Sequence, residues 1–131
     1  MIEAKKKFGQ NFLKDTTVVN KIIQSMPRNE RKLVEIGPGL GDLTQELLKV
    51  KSLVAYEVDE DLCVYLRKKF SKEIDMGSLT LVHTDVLSQF EKGSLLNEPY
   101  DLVANLPYYI ATTIILEALE DPYCKSMVVM V

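Results

Sequence analysis

The sequence predicts an α/β domain, a mainly parallel sheet with helices on both faces, and three observations lead there. Short apolar runs alternate along the chain with longer runs of helical period. The segments between the short runs are long enough for crossover helices, so neighbouring strands run parallel. A glycine-rich turn, Gly37-Pro38-Gly39-Leu40-Gly41, stands where the first short run gives way to a helical one.

Taken in order, Asp15 and Thr16 open a helix over Asp15–Met26, with Val18, Val19, Ile22, Ile23 and Met26 on one face and Pro27 closing it. Leu33–Ile36 reads as the first strand. Beyond the glycine turn, Asp42–Val50 carries Leu43, Leu47 and Leu48 as a helical stripe. Leu53–Glu57 is the second strand, and Glu60–Lys72 an amphipathic helix holding Leu62, Val64, Leu66 and Phe70 among charges. Leu79–His83 is the third strand, Ser94–Pro99 a loop, and Asp101–Ala104 a fourth, buried strand. A helix over Thr112–Leu119 and a fifth strand over Ser126–Val131 complete the series. An apolar strand at the end of a chain leaves a pairing edge open, so the sheet is expected to be truncated after this fifth strand.

The 131 residues amount to one domain. With 47% hydrophobic and 27% charged residues, the balance is that of a globular chain rather than a disordered one. No apolar run approaches the roughly 18 residues that span a bilayer, and no signal-peptide core follows the N-terminus. The expected location is cytoplasmic. Cys63 and Cys124 lack metal-ligand spacing and read as reduced thiols, and a single histidine, His83, excludes multi-histidine zinc sites. A net charge of −3 argues against a basic surface over the whole molecule, although Lys5, Lys6, Lys7, Lys14 and Lys21 gather near the start.

The chemistry-bearing residues fall at strand ends, the edge where open α/β sheets bind ligands. Gly37 and Gly39 allow close backbone approach, and the following helix start offers unpaired N–H groups. The spacing is GxGxG, neither a dinucleotide fingerprint nor a Walker loop. Glu57 ends the second strand, where a carboxylate can accept both hydroxyls of a ribose. Asp85 follows the third strand and suits the exocyclic amine of an adenine, with a helix cap as the alternative. Asn105-Leu106-Pro107-Tyr108 ends the fourth strand. An aromatic amine such as adenine N6 is a poor nucleophile because its lone pair is delocalised; the Asn105 side-chain oxygen and the Leu106 carbonyl can accept its two N–H bonds and draw that pair out of the ring plane. Pro107 stiffens the turn, and Tyr108 can stack on an extruded base. A proline-bearing turn with packing tyrosines is the alternative.

Together, Lys7-Phe8-Gly9-Gln10-Asn11-Phe12-Leu13, Glu35 to Gly41, Glu57-Val58-Asp59, Asp85-Val86 and Asn105 to Tyr108 resemble the ribosomal RNA adenine-N6 dimethyltransferases, most closely the small-subunit type. The resemblance covers nearly the whole chain. It implies a Rossmann-like class I methyltransferase fold and an S-adenosylmethionine site built from Gln10, Asn11, Leu13, Gly37, Gly39, Glu57, Asp85 and Asn105. Asn105, Leu106, Pro107 and Tyr108 would be catalytic, with no metal. It further implies two successive methyl transfers to each of two adjacent adenines in small-subunit rRNA, a link to ribosome biogenesis, and a monomer that acts on immature small subunits. By the same resemblance residues 1–131 are an incomplete N-terminal catalytic domain, and a helical RNA-binding domain is missing. Tyr109 departs from the family pattern, in which a smaller or polar residue such as Asn or His is expected. The competing readings are a non-catalytic assembly factor, a large-subunit methylase of the antibiotic-resistance type, and a nucleotide-dependent dehydrogenase.

Overall fold

A computed structural model describes residues 16–131. Five strands, β1 (Lys32–Ile36), β2 (Leu53–Glu57), β3 (Leu79–His83), β4 (Tyr100–Asn105) and β5 (Cys124–Met130), form one sheet in the order β3-β2-β1-β4-β5. Every pairing is parallel. The chain winds outward from β1 through β2 to β3 and then crosses back to β4, so the winding reverses between β1 and β4. The α/β expectation is met, and the limits of β2 and β3 are those the sequence suggested.

Helices α1 (Thr16–Ser25), α2 (Asp42–Leu47) and α3 (Glu60–Lys69) share one core with the sheet. Val19, Ile22, Leu43, Leu47, Leu66 and Phe70 meet Leu33, Leu53, Ala55 and Val103 there. On the opposite face, α5 (Val86–Lys92) and α6 (Tyr108–Glu120) bring Val86, Ala111, Ile114 and Ala118 against Val34, Ile36, Leu102 and Ala104. Both faces being covered, the central strands are buried on successive residues instead of alternating, with Glu35, Asp101 and Asn105 as polar exceptions among apolar neighbours, and β4 is buried along its full length.

Three elements differ from expectation. The helix expected over Glu60–Lys72 breaks into α3 and α4 (Ser71–Asp75) at Phe70, whose backbone (φ −112°, ψ 28°) leaves the helical region as its ring packs into the core. Helix α5 was not anticipated; Asp85 caps it by accepting the Leu87 N–H at 3.0 Å, and Gly93 ends it. Helix α6 begins at Tyr108 rather than Thr112, because Pro107 starts it and takes the N–H groups of Ile110 and Ala111 on its carbonyl. Smaller shifts accompany these: α2 stops at Leu47, and β5 starts at Cys124 with a register irregularity at Tyr100/Asp101. Among the described residues no helix is long and apolar enough to cross a membrane.

Candidate active site

At the carboxyl ends of the strands the loops after β1, β2, β3 and β4 enclose one cleft of about 230 Å³. Its position follows from topology: at the β1/β4 reversal the two flanking loops diverge and leave a crevice. Gly37, Gly39, Glu57, Asp85, Asn105, Leu106 and Pro107 all line it. Tyr109 lines it too, whereas Tyr108, 84% exposed, is not part of its wall. Gln10, Asn11, Leu13 and the lysines at 5, 6, 7 and 14 lie outside the described residues.

The turn after β1 is held in a single shape. Gly37, Gly39 and Gly41 have φ of +71°, +60° and +87°, values that glycine tolerates and other residues resist. Gly37 N–H bonds the Tyr56 carbonyl at 2.9 Å, tying the turn to β2, and Gly41 N–H bonds the Pro38 carbonyl at 2.9 Å. From the end of β2 the Glu57 carboxylate spans the cleft floor: Oε1 accepts Gly39 N–H at 3.1 Å and Oε2 accepts Asp59 N–H at 3.0 Å. These bonds fix the carboxylate plane beside the turn. Burial raises the Glu57 pKa above the usual carboxylate value, while the Asp59 and Gly39 N–H bonds oppose that rise.

Glu35, in the middle of β1's buried run, is 2% exposed and accepts the Thr44 hydroxyl of α2 at 2.6 Å. Burial pushes its pKa up to about 8, with the Thr44 bond working against the rise and the charge of Glu57 adding to it. Glu35 is thus largely protonated at neutral pH, and its bond with Thr44 ties β1 to the first turn of α2.

Asn105, the last residue of β4, is 8% exposed, and its Nδ2 is buried without a hydrogen-bond partner among the described residues. A buried amide donor left unpaired is costly and marks a place built to receive an acceptor. Leu106 N–H bonds the Met130 carbonyl at 2.9 Å, which anchors the Asn105–Pro107 turn to β5.

Asp85 is the helix cap that the sequence offered as the alternative reading, its Oδ1 capping α5, and it also stands on the cleft wall. The sequence reading missed much of the apolar lining. Val58, exposed despite its character, faces the cleft, as do Ile110 and Ile114 of α6. The four-residue spacing of the two isoleucines would have revealed them had α6 been started at Pro107.

Comparison with known proteins agrees with this arrangement. The family model "Ribosomal RNA adenine dimethylase" matches residues 1–131. The "Ribosomal RNA small subunit methyltransferase A" of Aliarcobacter butzleri (strain RM4018) is 60% identical over 131 residues, which cover 99% of this chain and 49% of that protein. The chain therefore spans about half the length of the curated relatives it matches. Among solved structures, the 23S rRNA methyltransferase ErmE superposes with a TM-score of 0.71 at 28% identity, covering 88% of this chain and 46% of that one. The glycopeptide N-methyltransferase MtfA complexed with (S)-adenosyl-L-methionine gives 0.55 at 18% identity over 69% of this chain and 39% of that one, a likeness of fold alone. With the class I methyltransferase fold, the strand-end cleft and a family match over its whole length, the chain belongs to the ribosomal RNA adenine dimethylase family.

Proposed function

We propose that this chain is the cofactor-binding and catalytic part of an S-adenosylmethionine-dependent enzyme that dimethylates adenine N6 in small-subunit ribosomal RNA. The observation that carries the reading is Asn105: a buried amide with an unpaired donor, set in the same cleft as the Glu57 carboxylate and the glycine turn. The small-subunit preference is supported by the relatives, which are named small subunit methyltransferases.

The residues fit the cofactor. Glu57, oriented by two backbone N–H groups, would take the ribose hydroxyls. Gly37 and Gly39 leave the turn open to close approach, and Asp85 with Val58 would meet the adenine. The unpaired Asn105 Nδ2 would donate to the methionine carboxylate, and Gln10, Asn11 and Leu13 would complete the site. When bound, the cofactor supplies a methyl group on a positively charged sulfur that departs as a neutral thioether, so each transfer to nitrogen releases one proton to solvent and asks for no covalent enzyme intermediate. This chain's part is to present the nucleophile. Asn105 Oδ1 and the Leu106 carbonyl would accept the two N6–H bonds of the target adenine, restoring lone-pair density to the nitrogen. Pro107 fixes that geometry, and Tyr108 supplies an exposed aromatic face for the base.

The test places this sequence in a chain of the relatives' full length, together with small subunits lacking the modification and isotopically labelled S-adenosylmethionine. Nucleoside mass spectrometry should find labelled N6,N6-dimethyladenosine. Tight binding to immature subunits with no label incorporated would favour the assembly-factor reading instead.

A further inference from the structure

We propose that Lys69, the last residue of α3, is a positioning residue for the glycine-rich turn, holding it in its ligand-binding shape through a backbone carbonyl while Glu57 holds a backbone N–H. The inference rests on the reading of that turn as the cofactor site.

The Lys69 ammonium donates to the Leu40 carbonyl at 2.9 Å, across 29 positions of sequence, and stands 4.0 Å from Asp42 Oδ1. Its place is set by two rings, with the Nζ 5.5 Å from the centroid of Phe70 and 5.8 Å from that of Tyr65. The peptide unit it grips is the critical one. Leu40 C=O is bonded to Lys69 while the N–H of the same peptide, that of Gly41, bonds the Pro38 carbonyl at 2.9 Å. A cation on the carbonyl polarises the peptide and strengthens its N–H as a donor, so the Lys69 contact reinforces the bond that closes the turn. One residue upstream, Gly39 N–H is held by Glu57. The turn is therefore clamped between an anion on its amide side and a cation on its carbonyl side.

Packing makes the clamp specific to this geometry. A Cβ at Gly41 would lie 2.6 Å from the Phe70 ring and 3.2 Å from Leu66, so the turn and the end of α3 already touch with no room for a side chain. Asp42 Oδ2 is buried without a hydrogen-bond partner among the described residues, and the nearby ammonium offsets its charge. Lys72, three residues on and exposed, makes none of these contacts among the described residues.

The experiment compares Lys69→Met, which keeps the aliphatic stem, with Lys69→Arg, which keeps a donor cation, and Lys72→Met, which removes a neighbouring charge. Titration with S-adenosylhomocysteine and amide NMR spectra are recorded for each. Expected are a roughly tenfold weaker affinity for Lys69→Met, at an unfolding midpoint close to that of Lys72→Met, and partial recovery in Lys69→Arg. The Gly39, Leu40 and Gly41 amides should shift in Lys69→Met and stay in place in Lys72→Met. Unchanged affinity with unchanged turn amides in Lys69→Met would overturn the proposal, as would an equal loss in Lys72→Met, which would mark a general charge effect. If the parent chain fails to bind S-adenosylhomocysteine at all, the cofactor reading falls, while the amide shifts still decide whether Lys69 holds the turn.

Discussion

Glu57 and Gly39 are joined directly: one oxygen of the carboxylate at the end of β2 accepts the backbone N–H of the glycine turn after β1 at 3.1 Å. The group expected to hold a ribose and the loop expected to admit the cofactor are thus one mechanical unit. A change at either should be felt at the other.

Glu57→Ala removes a ribose acceptor and releases Gly39 N–H together. Affinity for S-adenosylmethionine should fall roughly 10- to 100-fold, since a hydrogen bond to a charged group is worth about 1.5–3 kcal/mol. Glu57→Gln, which keeps one acceptor oxygen, should lie between the two. Calorimetric titration of the three proteins gives the order.

Gly41→Ala tests the fit between the turn and α3. The residue sits at φ +87°, and the added methyl would meet the Phe70 ring at 2.6 Å. A loss of roughly 2–4 kcal/mol is expected from combined backbone strain and overpacking, measured by urea unfolding. Adding Phe70→Leu should recover part of it.

Stability should respond to pH through Glu35. Its carboxyl is raised by burial from 4.5 to about 8, so the folded chain binds a proton that the unfolded chain has released. This stabilisation is complete below the unfolded value and is lost as pH climbs through about 8, with a slope of up to about 1.4 kcal/mol per pH unit between the two. Glu57, also raised by burial, adds to the same trend. Glu35→Gln should flatten the profile and be better tolerated at pH 8 than at pH 5 relative to the parent. Unfolding midpoints across that range provide the check. Asp101 behaves oppositely. Burial works to raise its pKa, but bonds from Ser126, Asn29 and Arg31 outweigh it, so its contribution disappears only in acid.

Asn105→Ala separates binding from chemistry. In a chain of the relatives' full length, methyl transfer should drop by roughly two to three orders of magnitude. S-adenosylhomocysteine affinity should fall by a smaller factor, roughly tenfold, because one donor to the methionine carboxylate is lost and such a bond is worth about 1.5 kcal/mol or somewhat more. Single-turnover assays alongside titration distinguish the two effects.

Much of this architecture was legible because strand ends and glycine turns leave strong local signals. Glu57 and Asp85 stand just where β2 and β3 finish, and alternation of apolar runs located both strands. What escaped depended on tertiary contacts. Phe70 breaks a helix because its ring is needed against Gly41, a partner 29 residues away that periodicity cannot see. Helix α5 is only seven residues long, too short for a periodic stripe to stand out, and an Asp at the end of a strand suits a ligand site as well as a cap. Reading Pro107 as a turn hides a helix start, and with it Ile110 and Ile114 on the cleft wall.

The most direct test of the central claim, that the strand-end cleft is built for S-adenosylmethionine, is calorimetric titration of this chain with that compound, with NAD as comparison and Glu57→Ala as control. Saturable one-to-one binding of S-adenosylmethionine is expected, with none of NAD and marked weakening in the variant. Absence of binding by a chain shown to be folded, or equal affinity in Glu57→Ala, would contradict it.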